Sequence, residues 1–321
     1  MLLNKSSILV TGSTGFVGQR LCEVVAEDGW SVCRAVRYVS GMKNEVVVGE
    51  LGEKTDWSEA LKNIDVVIHL AARVHIMNDS VKDPLAEFRR VNTEGAIHLA
   101  KKAADASVKR FIFISSVKVN GELTSADHRF KPDDNYIPTD PYGLSKYEAE
   151  QGLLGIAKNT GMEVVIIRPP LIYGPGVKAN FSSMMKWINR SVPLPFGAVH
   201  NQRSLVALDN LVNFIIHCIE HPKAANEVFL ISDGEDVSTT MLLCKVAKAF
   251  GKKPRLIPVP VWLMTLAAKL IGKGDVANRL FGSLQIDRSK ARELLGWTPV
   301  VTMDEQLKKT VDTYLEHEKI L

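Results

Sequence analysis

A tyrosine and a lysine stand four residues apart in the segment YGLSK, residues 142–146. On a helix this spacing places Tyr142 and Lys146 on one face, about one turn apart. A nearby ammonium favours the phenolate, so we expect Lys146 to lower the pKa of Tyr142 from about 10 toward neutrality. Such a tyrosine can exchange a proton with a substrate oxygen. Because any surface helix can carry this pair by chance, its context decides whether it is functional.

A buried run that ends in two serines supplies such a context. Residues 111–116 read FIFISS, which is typical of a buried strand. Ligands of parallel sheets bind at the carboxyl ends of the strands. Ser116 is therefore in a position to hydrogen-bond the reacting oxygen.

A glycine-rich loop near the start of the chain predicts a dinucleotide site. The strand ILV is followed by TGSTGFVG and then by a helical pattern. In this motif Gly12 permits a tight turn, Gly15 lets the backbone approach the pyrophosphate, and Gly18 allows close packing of helix on strand. The phosphates then lie at the helix N-terminus. The other residues predicted to contact the cofactor in this loop are Thr14, Phe16 and Val17.

The end of the second predicted strand bears on the choice between NAD(H) and NADP(H). A carboxylate there binds the ribose 2′-hydroxyl and repels a 2′-phosphate. The sequence has no acid at this place, and Arg37 has the planar group that pairs with a phosphate. NADP(H) is thus favoured, with NAD(H) open if Arg37 is merely solvated. Glu50 and Leu51, after the third strand, are candidates to flank the adenine.

Short β-branched runs alternate with helical segments in the first half of the chain. The predicted strands are residues 7–10, 31–36, 45–48, 66–70, 110–115 and 164–168, and a further strand is expected within 227–232. The predicted helices are 16–27, 57–61, 84–106 and 141–159, the last with Asp140 as its cap. This pattern indicates an α/β fold, a Rossmann-type doubly wound parallel sheet with a smaller C-terminal α+β substrate-binding domain. We expect the dinucleotide domain in 1–172, with return segments near 205–233, and the cap mainly in 173–321.

Composition and charge narrow the functional classes. The chain has 321 residues, 46% of them hydrophobic, and a formal charge of +4 without the basic clusters of a nucleic-acid-binding protein. Its four cysteines show no paired spacing, so neither a metal site nor a disulfide framework is predicted. No signal peptide is recognised, which predicts a cytoplasmic protein. Residues 261–272 are too short to span a membrane and predict a packed amphipathic helix.

Taken together, the motifs resemble the extended short-chain dehydrogenase/reductase family, in its NAD-dependent epimerase/dehydratase branch. The resemblance covers nearly the whole chain through TGSTGFVG, DVVIHLAA, VNTEG, FIFISS, PYGLSK, IIRPPLIYGPG, RSLVALDNL and LLGWTP. It implies that Ser116, Tyr142 and Lys146 are catalytic and that Lys146 also holds the nicotinamide ribose. The further cofactor contacts that it implies are Leu70, Ala71, Ala72 and Pro169.

The same resemblance implies a UDP-sugar substrate, with no nucleic-acid partner and no membrane span. Its candidate contacts are Ser116, Lys118, Asn180, Arg203 and Arg279. Asn92 matches a family position near the active site, although a buried asparagine that ties loops together is an equal alternative. Of the histidines beside the fourth strand, His69 is predicted to pack in the core and His75 to approach the site. Segments 84–106 and 141–159 resemble the helices that form a homodimer interface in relatives.

Three reactions are compared within this family. Dehydratases carry an Asp-Glu pair after the catalytic hydroxyl residue, and here Val117 and Lys118 follow Ser116, which disfavours dehydration. Reduction of a UDP-4-keto-6-deoxy-N-acetylhexosamine in bacterial surface polysaccharide (O-antigen) biosynthesis is preferred. Arg37 fits a consumed NADPH, and the segments KVNGE, GVKANF and SLVALDNLV resemble bacterial polysaccharide-cluster enzymes that act on UDP-N-acetylhexosamines. The alternative is a 4-epimerase of UDP-hexoses or UDP-N-acetylhexosamines with tightly bound NAD. A non-catalytic dinucleotide sensor or scaffold is a remote third possibility. Asn120 departs from the family, which often has tyrosine there.

Overall fold

The computed structural model describes residues 5–74, 83–125, 127–270, 272 and 274–320. Two sheets organise the fold, and their strands are numbered along the chain. The strands are β1 (Ser7–Thr11), β2 (Ser31–Val36), β3 (Glu45–Val47), β4 (Val66–His69), β5 (Arg110–Ile114), β6 (Glu163–Arg168), β7 (Leu171–Tyr173), β8 (Arg203–Ala207), β9 (Val228–Leu230) and β10 (Asp236–Val237). Seven of them form a parallel sheet in the order β3-β2-β1-β4-β5-β6-β9. The predicted Rossmann-type fold is confirmed.

The strand predictions agree with the structure to within one residue at each end for the first six strands. The seventh, β9, lies inside the predicted range 227–232 and pairs with β6 at the sheet edge. A chain segment from the C-terminal half therefore completes the main sheet. A second sheet has three strands in the order β10-β8-β7. Together with three of the C-terminal helices it encloses a hydrophobic core of its own. The exact domain boundaries stay a prediction.

Helices cover both faces of the main sheet. In chain order the helices of the structure are α1 (Phe16–Glu27), α2 (Pro84–Phe88), α3 (Gly95–Asp105), α4 (Pro141–Thr160), α5 (Ala179–Asn189), α6 (Leu208–Glu220), α7 (Thr239–Ala249), α8 (Val261–Leu270), α9 (Gly274–Phe281), α10 (Ser289–Leu295) and α11 (Met303–Ile320). Alternate strand residues point to opposite faces. Ile112 and Ile114 join the core under α1 and α6, while Phe111 and Phe113 join the core under α3 and α4.

Three helix predictions need correction. Residues 57–61 form turns, because Asp56 Oδ1 accepts a hydrogen bond from Ser58 N and Asn63 takes a positive φ. The predicted helix 84–106 is interrupted by a π-helical segment, Arg89–Glu94, between α2 and α3. The helix expected to pack at 261–272 forms as α8, but none of its residues is buried. Its inner side, with Val261, Met264 and Ala268, is only half-buried, because α8 packs mainly against α9 at the surface.

The helix that carries the tyrosine and lysine begins and ends as predicted. Asp140 Oδ2 accepts a hydrogen bond of 3.0 Å from Gly143 N, and Pro141 occupies the first turn of α4. Gly161 ends the helix with a φ of 74°, in the left-handed region that glycine adopts at low cost. The cap at Asp140 fixes where the first turn of α4 lies, and with it the position of Tyr142.

Candidate functional site

The glycine loop between β1 and α1 has the close contacts that a dinucleotide site requires. A Cβ at Gly18 would lie 2.1 Å from Gly12 O, and a Cβ at Gly12 would lie 2.7 Å from Ala71 N. Gly15 caps α1 with no side-chain hydrogen bond, and the first turn of α1 has no acidic residue. Its backbone N–H groups and positive dipole end are therefore open to an anion. The loop fits a pyrophosphate.

The remaining residues predicted around the loop lie at the carboxyl ends of β1 and β4. Thr14 is exposed beside Gly15, while Phe16 and Val17 are half-buried at the start of α1. Leu70, Ala71 and Ala72 follow β4 and are half-buried. Thr11 Oγ1 accepts a hydrogen bond from Ala71 N and thereby ties the two strand ends together. Pro169 follows β6 and is buried, and its carbonyl accepts a hydrogen bond from Val117 N.

The predicted adenosine end holds a pair of opposite charges. Arg37 Nη1 lies 3.5 Å from Glu50 Oε1, and both side chains are more than half exposed. They meet because the ends of β2 and β3 are paired neighbours in the sheet. Leu51, the next residue, is buried. Arg37, which was predicted to bind a 2′-phosphate, thus already pairs with a carboxylate through one of its N–H groups.

Ser116 and Tyr142 meet between β5 and the first turn of α4. The Ser116 hydroxyl makes a hydrogen bond to the Tyr142 phenol, and the phenol ring contacts Phe88 edge-on at a centroid distance of 5.9 Å. Burial raises the pKa of Tyr142 to about 12, although the bond from Ser116 opposes the shift. The predicted fall of this pKa toward neutrality is wrong, because burial penalises the phenolate more than Ser116 stabilises it.

Lys146 lies one turn further along α4 and is buried. Its Nζ donates a hydrogen bond of 2.9 Å to Ile114 O and lies 4.4 Å from the centre of the Phe113 ring. Burial lowers the pKa of Lys146 to about 7, and the charge of Glu150 opposes this shift. At neutral pH the side chain therefore changes charge readily, which is a property of functional lysines.

His69 is a core residue, as predicted. Its ring stacks on Phe113 at 5.8 Å, and its Nδ1 lies 2.8 Å from Thr11 Oγ1. Burial, together with the charge of Lys146, lowers the pKa of His69 to about 3, so the imidazole is neutral. His75 lies outside the described residues.

Sequence analysis missed a buried ion pair on the next turn of α4. Glu150 Oε2 lies 2.5 Å from Arg168 Nη2, and both side chains are almost inaccessible to solvent. Arg168 Nη1 also donates to Asn120 Oδ1 at 3.0 Å. Asn120, which replaces the usual family tyrosine, is thus a buried structural partner. The sequence feature that could have indicated this pair is Arg168, a charged residue that ends the apolar run VVII directly before two prolines.

The predicted substrate contacts differ in their surroundings. Lys118 Nζ lies 2.8 Å from Glu122 Oε1 and 3.2 Å from Asp140 Oδ1. Arg203 Nη1 donates to the carbonyls of Arg279 and Gly282, so this half-buried side chain links β8 to the end of α9. The remaining two candidates, Asn180 at the start of α5 and Arg279, are exposed.

Asn92 ties loops together, which was one of its two predicted roles. It is fully buried in the π-helical segment. Its side-chain amide accepts from Arg73 N at 2.8 Å and donates to Arg73 O and to Ser145 Oγ at 3.0 Å. The residue thus fixes the segment after β4 against α4, close to Tyr142.

Comparison with known proteins agrees with this geometry. Residues 8–232 match the model of the NAD dependent epimerase/dehydratase family. A protein of Vibrio cholerae named UDP-glucose 4-epimerase is 50% identical over 314 residues, which are 97% of this chain and 96% of that protein. The solved UDP-glucose 4-epimerase of Thermotoga maritima with UDP-glucose is 26% identical, with a TM-score of 0.73 over 97% of this chain and 99% of that one. A UDP-glucuronic acid 4-epimerase of Bacillus cereus in complex with NAD shares the fold, with a TM-score of 0.77, 24% identity and coverage of 97% and 99%.

Proposed function

Because the chain belongs to the NAD dependent epimerase/dehydratase family, we propose that it inverts the C4 hydroxyl of a UDP-hexose or UDP-N-acetylhexosamine. It is an enzyme of this family, and its cofactor is a nicotinamide dinucleotide, NAD(H) or NADP(H). The observation that carries the proposal is the 50% identity to the UDP-glucose 4-epimerase of Vibrio cholerae across almost the whole chain. The relatives described above are epimerases, so the ketoreductase hypothesis preferred from the sequence gives way to its alternative.

The geometry supplies the proton transfer that epimerisation needs. A nicotinamide dinucleotide held by the glycine loop, by Ala71 and Ala72 and by Lys146 would supply the hydride acceptor and donor that inversion at C4 requires. Tyr142 accepts the proton of the C4 hydroxyl in the first half of the cycle and gives it back in the second. The hydrogen bond between Ser116 and Tyr142 supports this role, because it holds the two hydroxyls close together.

Charge on Lys146 links the lysine to this proton transfer. A tyrosine with a pKa of about 12 is almost entirely protonated at neutral pH, so formation of its phenolate needs a neighbouring positive charge. Lys146 is one helical turn away, and the carboxylate of Glu150 favours its charged form. Glu150 is in turn held by Arg168. The buried pair thus holds Glu150 where its charge raises the protonated fraction of Lys146, without touching the substrate.

The test is to incubate the purified protein with UDP-glucose and with UDP-N-acetylglucosamine. Epimerisation converts each to an equilibrium mixture with its C4 epimer, seen by proton NMR, without net change of absorbance at 340 nm. Tyr142→Phe should lower the rate at least about a hundredfold while dinucleotide binding is kept, because only the proton-transfer group is removed. Tyr136→Phe is the matched control, since that tyrosine is exposed.

Two results would overturn the proposal. One is the absence of interconversion together with stoichiometric consumption of NADPH or NADH when a UDP-4-keto-6-deoxy-N-acetylhexosamine is supplied, which would establish the reductase. The other is interconversion that proceeds unchanged in Tyr142→Phe, which would remove Tyr142 from the chemistry.

The predicted homodimer through segments 84–106 and 141–159 stays a prediction, to be tested by sedimentation.

A further inference from the structure

The solvent-facing side of α8 is apolar. Trp262, Leu263, Leu266 and Leu270 are 68%, 45%, 50% and 79% exposed. Positions 262, 266 and 270 are four residues apart and share one face of the helix. A surface helix normally turns its polar side to water and its apolar side to the core. In α8 the half-buried side, with Val261, Met264 and Ala268, and the outward side are both apolar, which marks an interaction surface.

The exposed apolar surface extends beyond one helix. Helix α9 packs against α8 and exposes Val276 and Leu280, which are 47% and 36% accessible. Ile257, in the segment that leads into α8, is 51% exposed. Several large apolar side chains are thus exposed together in one part of the cap. A single exposed leucine would need no explanation, but a group of this size does.

The charge of this part of the chain indicates what covers it. Residues 251–281 contain six basic residues and one acidic residue, so their net charge of +5 exceeds the +4 of the whole chain. Lys269 is exposed three residues after Leu266 and shares its face, and Lys253 and Arg255 are exposed just before α8. A second copy docked through the same surface would bring two such positive segments together, whereas an anionic partner is attracted.

Exposed tryptophan and leucine side chains beside basic residues, here Lys269, are typical of protein surfaces that lie in a membrane interface. The ten residues of α8 extend about 15 Å, half of the hydrocarbon thickness of a bilayer. Within the described ranges, moreover, no helix is long and apolar enough to cross a membrane. Such a helix can lie only along the surface, with its basic side chains directed to the headgroups.

We propose that α8 docks the protein on an anionic phospholipid membrane surface. Trp262, Leu266 and Leu270 enter the boundary between headgroups and acyl chains, and Lys269 contacts the phosphates. The docked surface adjoins the candidate substrate site, because Arg279 O of α9 accepts a hydrogen bond of 2.8 Å from Arg203. The proposal does not depend on which C4 reaction the enzyme performs.

The test is flotation of the full chain with vesicles of equimolar phosphatidylglycerol and phosphatidylcholine, and with vesicles of phosphatidylcholine alone. We expect binding to the anionic vesicles that weakens with salt. Leu266→Asp and Trp262→Ala should each weaken this binding about tenfold or more, since each removes an apolar side chain that the membrane would bury. Trp187→Ala, an exposed tryptophan of α5, is the matched control and should bind normally.

The charge is tested separately. Lys269→Glu should weaken binding at least about fivefold, since one basic residue near an anionic surface contributes about a factor of five. Lys223→Glu makes the same charge change at an exposed site outside this surface and should leave binding unchanged. Thermal unfolding of each variant establishes that it folds.

Tryptophan fluorescence locates the contact. Brominated lipids should quench part of the emission of the wild-type protein, and this quenching should be lost in Trp262→Phe. Absence of binding to anionic vesicles at low salt would overturn the proposal, as would equal binding by Leu266→Asp. A concentration-dependent dimer that Leu266→Asp dissolves would also overturn it, because a second copy would then cover α8.

Discussion

Replacement of Lys146 by methionine tests the electrostatics of the site through the stability of the protein. Methionine keeps much of the length of the side chain but does not titrate. In the folded protein the pKa of Lys146 is about 7, against 10.5 for an ordinary lysine. Between these two values the unfolded chain binds the proton that the folded protein has lost. Stability therefore rises with pH across this window, by about 1.4 kcal/mol per pH unit.

The sign follows from the two limits. Below pH 7 Lys146 is charged in both states, and the full cost of burying its charge destabilises the fold. Above pH 10.5 the lysine is neutral in both states, and this cost is absent. From pH 7.5 to 9.5 the wild-type protein should gain on the order of 2–3 kcal/mol of unfolding free energy relative to Lys146→Met. The variant also loses the hydrogen bond from Lys146 to Ile114 O. This loss shifts its unfolding free energy by the same amount at every pH, so it does not affect the comparison of slopes.

The assay is urea denaturation of both proteins at a series of pH values, after removal of any bound dinucleotide. Lys158→Met is the control, because Lys158 is an exposed lysine near the end of the same helix. The curve of this control should run parallel to the wild-type curve. If the curve of Lys146→Met also ran parallel to it from pH 7.5 to 9.5, Lys146 would titrate as an ordinary lysine and the argument for its role would be refuted.

Three further substitutions probe other parts of the site. Gly18→Ala should abolish dinucleotide binding, measured by fluorescence titration with NADH, since its Cβ would lie 2.1 Å from a loop carbonyl oxygen; normal affinity would show that the loop can shift. Glu150→Gln should lower the unfolding free energy by about 3–5 kcal/mol because Arg168 would stay buried without its counter-charge, whereas Glu148→Gln, in a half-exposed pair, should cost no more than about 1 kcal/mol. Arg37→Asp should shift the ratio of affinities at least about tenfold toward NADH over NADPH; an unchanged ratio would mean that Arg37 does not reach the cofactor.

The strands were predictable from sequence because a parallel sheet covered on both faces leaves few alternatives. A run such as FIFI, bounded by polar residues, buries both of its faces only in the interior of such a sheet. The caps of α4 were predictable because they depend on local residue types: the Asp140 side chain accepts from Gly143 N, and Gly161 takes the left-handed conformation that ends the helix. Residues that are neighbours in the sequence determine these strands and caps.

The pKa values and the buried pair were not predictable in this way. The sequence places Lys146 one turn from Tyr142 but does not say that both are buried, and burial moves both pKa values away from those of exposed groups. Arg168 and Glu150 are 18 residues apart, on a strand and a helix. Their contact depends on how α4 packs on the sheet, which no local pattern encodes.

Lys118 was predicted to contact the substrate, but its neighbours in the structure indicate another role. Its backbone N–H donates to Ser116 Oγ, and its ammonium lies beside Asp140, whose other carboxylate oxygen caps α4 at Gly143. A Cβ at Gly143 would lie 3.0 Å from Lys118 O, so the two turns also touch through their backbones. The turn that carries Ser116 and the turn that carries Tyr142 are thereby joined by one residue. We infer that Lys118 serves chiefly to hold these two hydroxyls in register, which the short hydrogen-bonding reach of a hydroxyl demands.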